Sequence, residues 1–225
     1  MDLSHWQGAP RPEHSVLEGR YTRLEPLDPT RHASDLLAAA RASAADDRFR
    51  YLSEEPPVDL ATLTPWLEQA STSPHSLFFA VIDRETGKAE GRQALTRIEP
   101  LHGVIEIGSI FWGLAIARTR VATEAFYLMA SEVFDQLGYR RLAWQSDNSN
   151  DVSKRAAERF GFTLEGVFRQ HRVIKGRNRD TAWYAIIDSD WPRLKASYEA
   201  WLHPDNFDEN QRQINRLECQ PSTPA

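Results

Sequence analysis

Apolar and polar positions along the chain follow two alternating periods, and the changes between them predict the order of strands and helices. Continuous apolar runs at residues 77–82 and 104–112 are typical of buried strands, and residues 89–98 are expected to return antiparallel between them. Residues 16–24 predict a first strand, and residues 141–145 predict a later, shorter one. The sheet is therefore expected to begin with antiparallel neighbours.

The clearest helical pattern covers residues 122–137, where apolar residues recur on one helical face before Gly138. Asp28 and Pro29 predict the start of an earlier helix, because aspartate caps free amides and proline suits the first helical position. Further elements are helices at residues 60–69, 149–160 and 191–202, and a final hairpin at residues 162–174 and 181–187. The second half of the chain therefore alternates strands with helices.

Length and composition favour one folded domain with short flanking segments. The chain has 225 residues, of which 41% are hydrophobic and 26% are charged, and this is an ordinary globular composition. We expect an N-terminal tail at residues 1–15, a single domain at residues 16–203, and a polar C-terminal tail or arm at residues 204–225. The predicted fold class is α/β, with helices that flank a central sheet.

Charge and cysteine content exclude several classes of protein. The formal net charge of −5 and the scattered basic residues argue against a nucleic-acid surface, and no apolar stretch is long enough to span a bilayer. Residues 1–18 lack the basic end and apolar run of a secretory signal. Cys219 has no partner for an intramolecular disulfide, as expected in a reducing compartment. The sequence therefore predicts a soluble, cytoplasmic protein that binds neither membranes nor nucleic acid.

A candidate anion site lies at residues 113–123, where a predicted strand passes into the long helix. The first turn of a helix has free amides, and these amides together with the helix dipole bind phosphate groups. Arg118, Thr119, Arg120 and Thr123 stand around this helix start and could add charge-assisted hydrogen bonds. The alternative is an ordinary capped helix with arginines that face the solvent.

The next crossover carries a more specific pattern. In the stretch LAWQSDNSNDVSKRAAERFGF, the strand ends in Asn-x-x-Ser at Asn150 and Ser153, and the following helix ends in Gly161 and Phe162. This stretch resembles the GNAT superfamily, especially its branch similar to the ribosomal-protein N-terminal (RimJ/RimL-like) acetyltransferases. The resemblance extends over residues 16–191 and includes LEGRYTRLEPLDP, IEIGSIFW, TEAFYLM and LGYRRLAW.

The resemblance implies a mixed, mostly antiparallel sheet that splays between its fourth and fifth strands, here residues 104–112 and 141–145. Acetyl-CoA, or another short acyl-CoA, would enter that split as co-substrate, with its pantetheine along the open strand edge and its diphosphate at the following helix. The cofactor-binding residues implied in this way are Phe111, Trp112, Gly113, Arg118, Thr119, Arg120, Val121, Ala122, Thr123, Asn150 and Ser153.

The phosphate loop departs from the pattern of that superfamily. The usual motif is Gln/Arg-x-x-Gly-x-Gly/Ala, and this chain has Ala117, Arg120 and Ala122 at the named positions. Arg120 cannot let a ligand approach the backbone as closely as glycine does. Either the loop is shifted and uses arginine side chains, or the site has lost its cofactor. We favour a shifted loop, because Arg118 and Thr123 can also bind phosphate.

Catalytic roles follow from the same resemblance. An amine attacks a thioester only when it is neutral, so a base is needed, and Glu106 matches a family position that often supplies one. The alternative role of Glu106 is that of a strand glutamate that pairs with an arginine or faces solvent. Ala157 stands where many members place a tyrosine acid, which leaves Ser153 to hydrogen-bond the departing sulfur or to serve only as a helix-start hydroxyl.

The leading hypothesis is transfer of a small acyl group to an amine such as a protein N-terminus, a polyamine or an amino sugar. A catalytically silent acyl-CoA-binding regulatory module is the alternative, because the loop glycines and the tyrosine are missing. A structural, self-associating protein is a third hypothesis. No metal is expected, since His102 and Glu106 have no third ligand in sequence. A homodimer is expected through the last hairpin and the C-terminal helix.

Overall fold

Eight strands form one sheet in residues 2–42 and 48–219, the part of the chain that this computed structural model describes. The strands are β1 (Leu17–Glu18), β2 (Thr22–Pro26), β3 (Leu77–Asp83), β4 (Ala89–Glu99), β5 (Val104–Trp112), β6 (Arg141–Asp147), β7 (Thr163–Ile174) and β8 (Arg177–Ile187). Their order across the sheet is β1-β2-β3-β4-β5-β6-β8-β7. Neighbours are antiparallel except β5 and β6, which are parallel.

Helices pack on this sheet at the positions that the apolar periodicity predicts. They are α1 (Pro29–Arg41), α2 (Leu60–Ser71), α3 (Arg120–Ser131), α4 (Asp151–Arg159) and α5 (Trp191–Leu202). Asp28 caps α1 as expected, since its side chain accepts a hydrogen bond from the Thr30 amide at 2.8 Å. The helix predicted over residues 122–137 is α3 followed by a π-helical turn at Glu132–Gln136. The fold is the predicted mixed α/β class.

Strand β3 shows why its sequence is apolar at every position. Phe79 and Val81 pack in the main core, whereas Phe78, Ala80 and Ile82 face the second core beneath α1 and α2. A strand that is covered on both faces needs apolar residues on both faces. The continuous run therefore places β3 in the middle of a layered structure.

The main core is built around α3 and α5 on the opposite face of the sheet. Phe126 of α3 is fully buried and stacks on Phe160 with ring centroids 4.5 Å apart, and it also contacts Phe162 and Tyr198. Aromatic packing of this kind fixes α3 relative to the end of α4. The start of α3 and the start of α4 are thereby held on one side of the sheet.

The flanking segments pack more closely than their polar composition suggests. Trp6 Nε1 donates to the Leu101 carbonyl at 2.8 Å, and Phe207 contacts Trp201 with ring centroids 5.1 Å apart. Cys219, which belongs to the segment predicted as a polar tail or arm, is 5% exposed, and burial raises its pKa to about 11. Widely spaced apolar anchors in a polar background give no periodic signal, so the sequence does not reveal this packing.

Within the described residues, no helix is both long enough and apolar enough to cross a lipid bilayer.

Candidate active site

The parallel pair β5 and β6 separates soon after it begins. Its register joins only Val104 to Arg141, Ile105 to Leu142 and Glu106 to Ala143. Beyond Glu106, β5 continues beside β4 alone, and β6 continues beside β8 alone. The predicted split between these two strands is therefore present, and Glu106 lies where it opens.

A cavity of about 1360 Å³ occupies the split and extends to the starts of α3 and α4. Eight of the residues predicted for the site line it: Glu106, Phe111, Trp112, Arg118, Ala122, Thr123, Asn150 and Ser153. The other four predicted residues, Gly113, Thr119, Arg120 and Val121, do not belong to its lining. The cavity thus brings together residues that are far apart in sequence. The start of α3 contributes only some of its predicted side chains to the lining.

Glu106 presents one free carboxylate oxygen to this cavity. Its Oε2 accepts a hydrogen bond from Gln145 Nε2 at 2.5 Å and lies 3.0 Å from Arg97 Nε. Its Oε1 makes no hydrogen bond within the described residues. A Cβ at Gly108 would lie 3.2 Å from Oε1, so glycine keeps the space beside this oxygen open. Pairing with an arginine was the alternative role of Glu106 in the sequence analysis, and this ion pair is present. It still leaves Oε1 available to a substrate.

Burial raises the pKa of Glu106 to about 7, against the opposing charges of Arg97, Arg172 and Arg179. Desolvation disfavours the charged carboxylate, and these cations only partly compensate. A carboxyl group with a pKa near neutral pH can both take up and release a proton in that range. The geometry and the pKa together make Glu106 suitable as a general base.

The start of α3 offers free backbone amides. Thr119 is the N-cap, and its Oγ1 accepts from the Val121 amide at 3.2 Å, while the Thr123 amide donates to the Thr119 carbonyl. The amides of Arg120 and Ala122 have no acceptor among the described residues. Helix-start amides in this state are ready to bind an anion.

Two of the residues predicted for this helix start, Arg120 and Gly113, make their contacts elsewhere. The guanidinium of Arg120 lies 4.3 Å from the ring centroid of Tyr21 and 5.3 Å from that of Phe207, and these rings are outside the cavity lining. The Gly113 amide donates to the Glu90 carbonyl at 2.7 Å, so it is engaged within the sheet. Arg118, in contrast, is exposed and lines the cavity with a backbone φ of 67°.

Arg159 is a cation of this region that the sequence did not suggest. It comes from the last turn of α4, and its Nη1 donates to Thr123 Oγ1 at 3.1 Å. Its guanidinium lies 5.1 Å from the Trp201 ring centroid, and no carboxylate among the described residues forms an ion pair with it. Burial lowers the pKa of Arg159, which means that its charge is incompletely solvated. An anion bound at this end of the cavity would supply the missing counter-charge.

Ser153 stands in the first turn of α4 with its hydroxyl oriented by a tryptophan. Trp144 Nε1 donates to Ser153 Oγ at 3.0 Å, and the Ser153 amide donates to Asn150 Oδ1 at 3.1 Å. Because Oγ already accepts from Trp144, its own proton is free to be donated to a ligand. Ala157, at the position of the missing tyrosine, is fully buried in the main core and does not line the cavity.

A β-bulge shapes the edge of β5 that faces the split. The register with β4 shifts between Arg92 and Ala94, and Ser109 has a φ of 49°. Arg92, which is buried, donates to the Ser109 carbonyl and pairs with Glu54. A bulge of this kind bends the strand and redirects its edge. The same residues therefore fix the backbone that a substrate would contact in the open half of β5.

Several residues that lie around Glu106 gave no signal in the sequence. Arg97, Arg172 and Arg179 reach Glu106 from β4, β7 and β8, and only the strand register brings them together. No group of three or more histidine, cysteine or acidic side chains that could hold a metal ion is found in the described residues. The arrangement instead combines a buried carboxylate, an oriented hydroxyl and an anion-binding helix start around one large cavity.

Comparisons with known proteins point to one family. Residues 22–163 match the family model of the acetyltransferase (GNAT) domain. A GCN5-related N-acetyltransferase from Brucella melitensis is 55% identical, with a TM-score of 0.94, and the match covers 96% of this chain and 97% of that one. A GNAT-family protein from Chromobacterium violaceum is 33% identical, with a TM-score of 0.79, over 85% of this chain and 96% of that one. No curated protein matches the sequence.

More distant structures share the architecture. The acetyl transferase from Salmonella typhimurium that modifies the N-terminal serine of the 50S ribosomal subunit protein L7/L12 is 16% identical, with a TM-score of 0.66. The match covers 77% of this chain and 99% of that one. At this level of identity, the likeness establishes a common fold and carries no conclusion about the acceptor.

Proposed function

This chain belongs to the acetyltransferase (GNAT) family and is an N-acetyltransferase, and on that premise we propose that it transfers the acetyl group of acetyl-CoA to a primary amine bound beside Glu106. The observation that carries the proposal is the split between β5 and β6, with a buried carboxylate where it opens. We place the amine at the free Oε1 of Glu106, next to the thioester in the split.

In the proposed reaction, Glu106 takes a proton from the ammonium form of the acceptor, directly or through one water. The neutral nitrogen then attacks the thioester carbonyl carbon, a C–N bond forms, and the C–S bond breaks as the tetrahedral intermediate collapses. The attacking nitrogen, which is positively charged in the intermediate, loses its second proton to the departing sulfur, so the products are a neutral amide and the CoA thiol. Glu106 then releases the first proton to solvent. Placing the two reactants together supplies much of the rate enhancement.

Ser153 is proposed to stabilise the departing sulfur. Its hydroxyl accepts from Trp144 Nε1 and is therefore left with its proton for donation. A hydrogen bond to a developing thiolate is stronger than one to the neutral thioester, so it favours departure selectively. Ser153 also lines the cavity close to the start of α4, on the side of the split that belongs to β6.

We assign the diphosphate of the co-substrate to the start of α3. The free amides of Arg120 and Ala122 and the dipole of α3 support this assignment. Arg118 and Arg159 add two cations on the lining of the cavity, and Arg159 has no carboxylate partner among the described residues. Arginine replaces the close backbone contacts of the usual glycines with charge-assisted hydrogen bonds.

Substitutions at the start of α3 test this assignment. Arg118→Ala is expected to weaken CoA binding about tenfold, because a hydrogen bond to a charged group contributes about 1.5–3 kcal/mol. Arg120→Ala is the matched comparison, and it is expected to leave the Kd for CoA unchanged because its guanidinium packs on Tyr21. Isothermal titration calorimetry with CoA and with pantetheine measures both effects.

Pantetheine lacks the diphosphate, so its affinity should be the same in Arg118→Ala and in the unsubstituted protein. Equal losses of CoA affinity in the two arginine variants would contradict the assignment, as would a loss that extends to pantetheine.

We further propose that the protein acts in the cytoplasm as a homodimer that pairs through β7. This edge strand exposes Leu164, Phe168 and Val173, and Phe168 is 53% exposed. An apolar strip on a sheet edge favours association with a second copy. Sedimentation equilibrium is expected to give a dimer that Phe168→Glu converts to monomer. A monomer in the unsubstituted protein would refute the pairing through β7. Recovery of the protein outside the soluble cell fraction would refute the cytoplasmic location.

A further inference from the structure

Three arginines surround Glu106 at the end of the cavity that is remote from α3. Arg97 Nε lies 3.0 Å from Glu106 Oε2, and Arg172 and Arg179 line the same cavity. From Glu106, β5 continues for six positions to Trp112, which is roughly 20 Å at the usual rise of a strand, and residues 113–119 then lead to the start of α3. We call Arg97, Arg172 and Arg179 the arginine cluster. It stands beside the acceptor amine and away from the diphosphate.

Arg97 is the only member of the arginine cluster that forms an ion pair with a carboxylate among the described residues. Arg172 and Arg179 are directly opposite each other in the antiparallel ladder of β7 and β8, a position where like charges destabilise a sheet. Neither forms an ion pair within the described residues. Burial lowers the pKa of Arg179, and the neighbouring charges of Arg172 and Arg97 lower it further, against the attraction of Asp147 and Glu106.

Arg179 is also incompletely hydrogen-bonded. Its Nε is buried and has no hydrogen-bond partner in the described part of the chain. A buried donor without an acceptor costs free energy unless a ligand or water satisfies it. Two opposed cations and an unsatisfied donor on the wall of a cavity together indicate a site for an anion.

We propose that the arginine cluster binds a carboxylate or phosphate group of the acceptor, so that the acceptor is a small amine carrying an anionic group close to its nitrogen. The inference rests on the proposed function and names the substrate class of the same site. The guanidinium fork matches the geometry of both anions and binds them with two parallel hydrogen bonds.

The geometry also separates acceptor classes. Arg97 touches the carboxylate that receives the proton, so an anion held by Arg97 and its neighbours lies only a few bonds from the amine. A polyamine has no anion and would be repelled by the cluster. An unmodified polypeptide N-terminus offers a neutral peptide carbonyl at that distance. A small amino carboxylate or amino phosphate satisfies both Glu106 and the cluster.

Matched pairs of acceptors test the inference. L-phenylalanine is compared with phenethylamine, and O-phosphoethanolamine with ethanolamine, by the release of free thiol from acetyl-CoA. In at least one pair, the unsubstituted protein is expected to acetylate the anionic acceptor in preference to its neutral counterpart. The pair that shows this preference tells whether the arginine cluster binds a carboxylate or a phosphate. Arg172→Ala is expected to raise the KM of that anionic acceptor about 10- to 100-fold, the equivalent of one hydrogen bond to a charged group, with little change for its neutral counterpart.

Arg169→Ala is the control, since Arg169 is exposed on the same strand and does not line the cavity. It is expected to leave both KM values unchanged. Because Arg172→Ala removes one of two opposed charges, its Tm is expected to equal or exceed that of the unsubstituted protein, which separates lost binding from lost folding. A role limited to tuning Glu106 would instead change kcat for both acceptor classes and move the pH profile, and this result would overturn the inference.

Failure of the proposed function gives a different pattern. If neutral amines release thiol as efficiently as anionic ones, the chain is still an amine acetyltransferase and the anion site is refuted. If no amine releases thiol, the proposed function fails. Calorimetry then measures whether L-phenylalanine and O-phosphoethanolamine bind in the absence of acetyl-CoA. Binding that is weaker in Arg172→Ala supports the anion site, and absence of binding overturns it.

Discussion

Glu106→Gln is expected to lower kcat by about 10²- to 10⁴-fold, the usual contribution of a positioned general base. Glutamine keeps the size of the side chain and can still contact Gln145 and Arg97, but it cannot take a proton from the acceptor. The Kd for CoA should not change, because the diphosphate is assigned to the distant start of α3. Steady-state thiol release and calorimetry with CoA measure the two quantities.

The pH profile supplies a second signature of the same residue. A base acts in its ionised form, and burial raises the pKa of Glu106 to about 7. The rate should therefore rise about tenfold per pH unit below this value and level off above it. Glu106→Gln should remove this step from the profile.

Glu99→Gln is the matched control, because Glu99 is an exposed carboxylate on the rim of the same cavity. It is expected to keep both kcat and the pH step. Unchanged turnover in Glu106→Gln, or a pH step that survives in it, would remove Glu106 from the chemistry.

Glu124 of α3 is the second residue whose replacement should have a large effect, in this case on stability. Its carboxylate is 5% exposed and accepts hydrogen bonds from the amides of Arg20, Tyr21 and Thr22 at 2.9, 2.6 and 2.7 Å. A Cβ at Gly19 would lie 2.5 Å from Glu124 Oε2, so only glycine permits this approach. Glu124 thereby ties the turn between β1 and β2 to the helix whose start faces the cavity.

Glu124→Ala is expected to lower the free energy of unfolding by about 3 kcal/mol, because it leaves one buried and two partly buried amides without their acceptor and a buried donor in that state costs about 1–3 kcal/mol. The free energy of unfolding of Glu124→Gln should lie between those of Glu124→Ala and the unsubstituted protein, because the amide oxygen of glutamine replaces only one of the two carboxylate oxygens. Urea unfolding followed by tryptophan fluorescence measures the change. Glu209→Ala, at an exposed position, should stay within about 0.5 kcal/mol of the unsubstituted protein. A Glu124→Ala variant as stable as this control would show that water replaces the carboxylate without cost.

Local sequence was sufficient for most of the secondary structure. Strand β5 spans the residues that its apolar run predicts, and α1 begins after Asp28 as its capping residue requires. Burial on one face or both faces leaves a period in the sequence, and caps are set by neighbours a few residues away. The π-helical turn at Glu132–Gln136 was missed because it keeps an apolar face much like that of an α-helix.

The candidate site was less accessible to sequence. Eight of the proposed residues line the cavity, but Arg120 packs on Tyr21, and the direction of a side chain is set by neighbours distant in sequence. Arg159 and the arginine cluster were missed for the same reason, since an isolated arginine in a strand or helix is usually a solvated surface residue.

The sequence by itself determined the order of elements, the α/β class and the position of the crossovers, because each depends on hydrophobic periodicity and short-range capping. The tertiary structure alone decided which polar groups meet. The register of β5 with β6 and of β7 with β8 brings Glu106, Arg172 and Arg179 to one cavity from three separate strands. Charges cluster through such long-range pairing, and the burial that raises the pKa of Glu106 and lowers that of Arg179 has no counterpart in the linear order of residues.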